Sequence, residues 1–271
     1  MNVAYSTNVL DIAVAVAQRM KLATLSTASF RATRLHRAET RAENARHATN
    51  AAKVLVKLTN HPSLAALAKT HNEAYSEHRR LTLPSVQDGI RVLPMARELE
   101  HSDAMWKFYA QHQACVAEFL AAYDDERASA PQRLGSLHDP ALWPDRSELE
   151  DRFEFTTRYL PCPTDGAWRD WTAETAQLAE RELHERLTQA LERVVERCGS
   201  DGRLYETVFK NLQDLCALAP DFDVAGRYGA IVKAAGEITK VKADMVRDDK
   251  VLRAQVAERA SEICSMLGGV K

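Results

Sequence analysis

A chain of 271 residues, 45% hydrophobic and 27% charged, is long enough for one large domain or two smaller ones and buries a core without cross-links. Ten Gly and nine Pro, with little strict alternation of apolar and polar residues, weigh against a sheet protein and predict a mainly α fold. The net charge of −2 argues against wholesale coating of nucleic acid, so any phosphate contact is expected to be local.

That charge is unevenly spread. Residues 1–80 hold 12 Lys and Arg against 5 Asp and Glu, the remaining 191 hold 24 against 33, and five of the nine histidines (His36, His47, His61, His71, His78) lie in the basic part. An electropositive arm on an acidic body is the expected arrangement. Cys115, Cys162, Cys198, Cys216 and Cys264 are widely spaced with no Cys-x-x-Cys pair, and read as reduced thiols of a cytosolic protein. The apolar run "VLDIAVAVA" carries an Asp and covers about half of the roughly 20 residues a membrane crossing needs, so a soluble protein is expected.

In chain order, residues 8–28 predict an apolar amphipathic helix, with Val9, Ile12, Val16, Met20 and Ala23 at three- to four-residue spacing. After the capping candidates Ser26, Thr27 and Ser29, residues 30–58 contain no Gly or Pro and predict a second, uninterrupted helix roughly 40 Å long. On its wheel Leu35, Ala38, Ala42 and Ala45 form a stripe of mostly small residues, Arg34, Arg37 and Arg41 fall along one flank, and Glu39 and Glu43 along the other. Small residues let a partner backbone come close, which fits an antiparallel helical hairpin. Two readings of the flank fit: arginine stems shielding the seam on a solvated edge, or a row of cations for phosphate.

His61-Pro62 marks a stop and a start, and Ser63–Arg80 predicts the next helix. In "LTLPSVQDGIRVLP" two short apolar pieces, 81–86 and 90–93, flank Gln87-Asp88-Gly89, a hairpin signal whose prolines confine it to sheet edges. "RFEFTTRYLPCP" alternates Phe153, Phe155, Thr157 and Tyr159 with Glu154, Thr156 and Arg158, so a small three-stranded sheet of these pieces is expected. Between them a helix from Met95 to about Arg127 carries Met105, Tyr109, Val116, Phe119, Leu120 and Tyr123 on its inner face, followed by a Pro/Gly-rich link and a short helix at Ser147. Trp106, Phe108, Tyr109, Trp143, Phe153, Phe155, Tyr159, Trp168 and Trp171 are expected to make the main core. Helices are then predicted over 170–197, 203–218 and 230–267. The last has a near-heptad seam (Ile238, Val241, Met245, Leu252, Val256, Ile263, Leu267) interrupted at Asp248 and Asp249, and the 170–197 helix, the N-terminal helices or another copy of the chain can meet it. The expected organisation is a basic arm (1–80), a central α+β core (81–168) and a C-terminal helical hairpin (169–271), with long antiparallel, coiled-coil-like helices framing the centre.

The residues that carry chemistry are few. No glycines are spaced for a phosphate loop, since "AGRYGAIVKAAG" follows no strand, and there is no Gly-x-Ser-x-Gly elbow. His112, Cys115 and Glu118, the Glu180/His184 pair, and His71/Glu77/His78 match no strong metal pattern. No catalytic residue, metal or cofactor is expected. The basic arm remains: Arg31, Arg34, Arg37, Arg41, Arg46, Lys53 and Lys57 are the candidate nucleic-acid-binding residues, at spacing comparable with phosphates. Residues 31–74 contain no aromatic beyond histidine, which argues against a dedicated single-strand clamp.

The block formed by "RLTLPSVQDGIRVLP", "VAEFLAAYDDERASAPQRLGSLHDPALWPD" and "RFEFTTRYLPCP", about residues 75–165, resembles an uncharacterised family of helical proteins encoded by tailed bacteriophages and prophages. The motifs that carry the resemblance are a Leu-Pro hairpin, a Phe-Leu-x-x-Tyr helix end, a Leu-Gly…Asp-Pro…Pro link and a Phe-x-Phe…Pro-x-Pro strand. The resemblance implies no catalytic residue. It implies a phage protein made in the host bacterial cytoplasm, in some cases encoded near replication or recombination functions. Together these readings predict a non-enzymatic, homo-oligomeric accessory protein of phage DNA metabolism with weak, sequence-independent nucleic-acid contact. The alternative is a phage-encoded module that binds or inhibits a host defence protein.

Overall fold

The structure, a computed structural model, describes residues 17–47, 52–163, 168–200, 204–223 and 226–269. The protein is mainly α with a small antiparallel β element. Its elements are β1 (Met20–Ala28), β2 (Thr33–Leu35), α1 (Arg37–His47), β3 (Leu55–Lys57), α2 (Pro62–Leu81), β4 (Leu83–Pro84), β5 (Ile90–Pro94), α3 (Glu98–Leu134), α4 (Arg146–Glu150), β6 (Glu154–Pro161), α5 (Arg169–Gly199), α6 (Glu206–Phe222), α7 (Gly229–Thr239), α8 (Ala243–Asp248) and α9 (Lys250–Gly268).

The chain forms two units, neither of them continuous in sequence: residues 1–24, 79–99 and 158–271 in unit 1, and residues 25–78 and 100–157 in unit 2. Three consecutive segments were expected. The backbone instead crosses between the units four times, inside β1, α2, α3 and β6, and the crossing in α2, between residues 78 and 79, falls beside the expected boundary near 80.

In unit 1, α5, α6, α7 and α9 enclose an aliphatic core that includes Leu183, Leu187, Leu191, Leu212, Ile231, Val256 and Ile263. Helix α9 packs chiefly on α5, so the α9 part of the near-heptad seam (Val256, Ile263, Leu267) is covered by the 170–197 helix of the same chain, while Met245 of that seam is exposed. The continuous helix expected over 230–267 is three: α7 stops at Thr239, α8 spans Ala243–Asp248, and at the second break the Asp249 carboxylate accepts from the N–H groups of Val251 (2.8 Å) and Leu252 (3.0 Å) and starts α9 afresh.

The sheet has four strands in the order β4-β5-β1-β6, where three were expected. The additional strand is β1, and its register against β5 runs from Met20↔Pro94 to Thr24↔Ile90. The sequence predicts a helix there. Of that helix, residues 8–16 lie outside the described residues, and 20–28 is strand. The reason is burial on both faces: Met20 and Leu22 pack beside Val92 on one side, Ala23 beside Leu81 and Leu93 on the other. A strand covered on both faces loses its polar alternation and reads as a short apolar helix.

In unit 2, the helices α2 and α3 carry the rest of the chain. Phe30, Phe119, Tyr123 and Trp143 form its aromatic core, with Phe30 stacked on Phe119 at 5.8 Å and edge-on to Tyr123 at 6.5 Å. Of the nine aromatics expected to make the main core, only Trp143 and Phe153 belong to this cluster; Phe108, Phe155, Tyr159 and Trp171 pack on smaller ones, and Trp106 and Trp168 are 68% and 48% exposed.

Candidate nucleic-acid interface

The 40 Å helix expected over 30–58 is broken. In its place β2 and β3 pair antiparallel (Thr33↔Lys57, Arg34↔Val56, Leu35↔Leu55), with the 11-residue α1 between them. Polar side chains within the stretch explain the break. Thr40 Oγ1 accepts from Val54 N–H at 3.0 Å, and the Asn44 amide both donates to and accepts from the Ala52 backbone (3.2 and 2.9 Å). These side chains offer the returning backbone partners that a straight helix leaves to water. His36 Nδ1 accepts from Glu39 N–H at 3.2 Å at the start of α1, and His36 N–H donates to the Val54 carbonyl at 2.9 Å, closing the ribbon.

The lobe is tied to α3. Thr59 Oγ1 donates to Glu126 at 2.7 Å, Arg133 Nη2 donates to the Leu58 carbonyl, and Leu58 N–H donates to the Ala32 carbonyl at 2.7 Å. Val56 and Leu58 face the aromatic core. The alanine stripe is no seam: Ala38, Ala42 and Ala45 are exposed on α1, and Leu35 is exposed on β2.

The candidate residues divide. Arg31, Arg37, Arg41, Lys53 and Lys57 are exposed, and among the described residues none of them has an ion pair. Arg46 pairs with Glu43 at 3.1 Å. Arg34 leaves the row altogether, because strand alternation turns it inward beside Val56, where its guanidinium lies 5.4 Å from the Phe30 ring centroid. Burial first, then Arg152 and Arg31, push its pKa down. Elsewhere many arginines are committed: Arg97 to Asp221 at 2.5 Å, Arg146 to Asp124 at 2.9 Å, Arg186 to Glu182 at 2.8 Å and Arg259 to Glu262 at 2.6 Å. The exposed lobe cations are set apart by that contrast.

Two buried histidine pairs were not foreseen. His71 Nε2 lies 2.9 Å from His112 Nδ1, and His78 Nδ1 lies 2.8 Å from His101 Nε2, each pair joining α2 to α3 within unit 2. A signal was present in the sequence: His101 and His112 stand on one helical face with Met105, Val116, Phe119 and Tyr123, as His71 and His78 do with Leu67 and Ala74. A hydrogen bond between two imidazoles needs one ring to donate and the other to accept, so each pair is held with at most one added proton. Burial pushes His112 down to about 4, with His71 adding to the effect. Burial also pushes His101 down to about 4 against the opposing pull of Glu77 and Glu100.

Among the described residues no group of three or more His, Cys, Asp or Glu side chains is placed to hold a metal ion, and no helix is long and apolar enough to cross a membrane. An open cavity of about 480 Å³ on α5 is lined by Glu180, Arg181, His184, Glu185, Arg227 and Tyr228, among others. Its charges are partly spent, since Arg227 is bound to Glu180, and burial with Glu180 pushes the Tyr228 hydroxyl up to about 12. No known protein family, curated protein or solved structure matches this chain.

Proposed function

We propose that this chain is a non-enzymatic accessory protein of phage DNA metabolism, acting in the host bacterial cytoplasm, that touches nucleic-acid backbone through the basic lobe of unit 2. The observation that carries this reading is the exposure of Arg31, Arg37, Arg41, Lys53 and Lys57 without ion pairs among the described residues. Residues 31–57 hold seven Lys and Arg against two Glu. At physiological salt a charge more than about 8 Å away is largely screened, so an approaching phosphate responds chiefly to the charges nearest it. Such contact is sequence-blind, because phosphates position a protein and base edges specify it. The phage setting rests on the resemblance of the 75–165 block.

Fluorescence anisotropy with labelled single- and double-stranded oligonucleotides tests the reading. Three to five neutralised phosphates predict a log–log salt slope of about −3 to −4.5 on duplex. Arg31→Glu/Arg37→Glu/Arg41→Glu is expected to abolish binding with the fold retained. Salt-independent binding, or full binding by that variant, refutes it.

A second reading has its own observation. Leu35 (41% exposed) and Leu55 (62% exposed) face each other across the ribbon on its outer face, where an apolar patch offers a surface to a host protein. A stoichiometric host partner on pull-down from infected cells, lost in Leu35→Asp/Leu55→Asp, with no DNA affinity, favours this reading over the first.

A further inference from the structure

Where α2 ends in unit 1, the guanidinium groups of Arg91 and Arg186 meet at the Thr82 carbonyl, with the Glu182 carboxylate bonded to Arg186. Arg91 projects from β5 on the face that also carries Leu93, and its cross-strand partner is Ala23, which leaves room for a long side chain. Arg91 Nε donates to Thr82 Oγ1 at 2.7 Å and Nη2 to the Thr82 carbonyl at 3.0 Å. Arg186 Nη1, from α5, reaches the same carbonyl at 3.3 Å and the Arg79 carbonyl at 2.9 Å, while its Nε donates to Glu182 at 2.8 Å. Two cations therefore share one acceptor atom. Arg79, exposed in the last turn of α2, brings a third.

Burial, Arg186 and Arg79 all oppose the charge on Arg91, Glu182 favours it, and the balance pushes its pKa down to about 10. The group stays protonated at neutral pH; burial does most to oppose its charge, and the two neighbouring arginines add to that against the one carboxylate. Capping a helix end does not account for the cluster. Three cations against one carboxylate leave a surplus of about two charges, and a helix C-terminus supplies only about −0.5. The neighbouring Arg80 is not part of the surplus, since it faces Asp214 at 3.9 Å. Among the described residues no hydrogen bond engages Arg91 Nη1, Arg186 Nη2 or the head of Arg79. Arg79 is exposed and Arg91 partly so, and the Arg186 side chain is 20% exposed.

We infer that Arg79, Arg91 and Arg186 form an anion site that takes a phosphate dianion, free or as a terminal phosphomonoester, and disfavours the singly charged diester of nucleic-acid backbone. The size of the surplus sets this preference: roughly one and a half charges match a dianion and overmatch a diester. The planar forks of Arg91 and Arg186, already fixed by Thr82 and Glu182, lose little freedom when their remaining donors close on oxygen. This site is in unit 1 and the basic lobe in unit 2, so the two stand or fall separately.

Isothermal titration of the full chain at constant ionic strength, with chloride as the balancing anion, tests the site using inorganic phosphate, a deoxynucleoside 5′-monophosphate and dimethyl phosphate. The first two are expected to bind and dimethyl phosphate to bind at least tenfold more weakly. The tighter of the first two shows whether free phosphate or a phosphate end is the ligand. Arg79→Gln, whose side chain holds no other group in place, is expected to weaken both at least tenfold with the melting temperature unchanged. Arg91→Gln is expected to abolish binding. Arg31→Gln/Arg37→Gln/Arg41→Gln is expected to leave binding as it was. Phosphate heats no different from chloride, equal affinity for the diester, or undiminished binding by Arg79→Gln each overturn the proposal.

Discussion

Arg34 shows how one residue changes meaning between sequence and structure. On a helical wheel it belongs with Arg37 and Arg41. In a strand the side chains alternate, and Arg34 turns onto Phe30 while its neighbours stay in water. A half-buried cation over an aromatic face contributes about 1 kcal/mol. Arg34→Ala is therefore expected to lower urea stability by about that much, with Arg37→Ala changing it by less than about 0.5 kcal/mol; equal effects would place Arg34 back in the solvated row. The histidines are the second residue-scale case. Unfolded imidazoles take up a proton near pH 6.5, whereas burial holds His101 and His112 near 4. Between those values the unfolded chain binds more protons, so this contribution is complete above about pH 6.5 and is lost as pH falls toward 4. For His101, fully buried, the loss is on the order of 3 kcal/mol. A urea midpoint that falls steeply from pH 6.5 to 4.5, and less steeply in His78→Leu/His101→Leu, is the expected outcome; a flat profile in the parent chain contradicts it.

Among the elements, those with sequence-local causes were legible. Pro62 opens α2 at its first residue, and Gly89 turns between β4 and β5 at φ +79°, a conformation a side chain resists. With no atom within 4 Å of a Cβ placed there, Gly89→Ala is expected to cost only the backbone term, about 1 kcal/mol in thermal or urea melts. Asp249 caps α9 through two N–H groups, and Asp249→Ala is expected to cost about 1 kcal/mol, visible as faster amide exchange in the first turn of α9 and not in α5. The elements that could not be read are those whose character is set by what covers them. β1 is apolar because both its faces are buried, and β2 and β3 are strands because each hydrogen-bonds the other. Three-residue strands leave almost no period to detect.

For the whole molecule, the aliphatic core of unit 1 is the largest single store of apolar burial. Leu191 is fully buried within it, so Leu191→Ala is expected to cost about 3 kcal/mol by denaturant titration, with hydrogen exchange quickened in α5, α6 and α9. A loss below about 1 kcal/mol there would mean the helices do not enclose Leu191. By itself the sequence determined the mainly α class, the spans of α2, α5 and the hairpin β4–β5, and the concentration of positive charge before residue 60, because propensity, caps, turn residues and charge are properties of neighbours in the chain. The tertiary structure alone decided the rest. It broke the N-terminal helix into a ribbon and a short helix, inserted β1 into the sheet, turned four histidines inward, and gathered Arg79, Arg91 and Arg186 from a helix end, a strand and a distant helix. Each of those outcomes depends on contacts between residues far apart in sequence, whose energies no local pattern records.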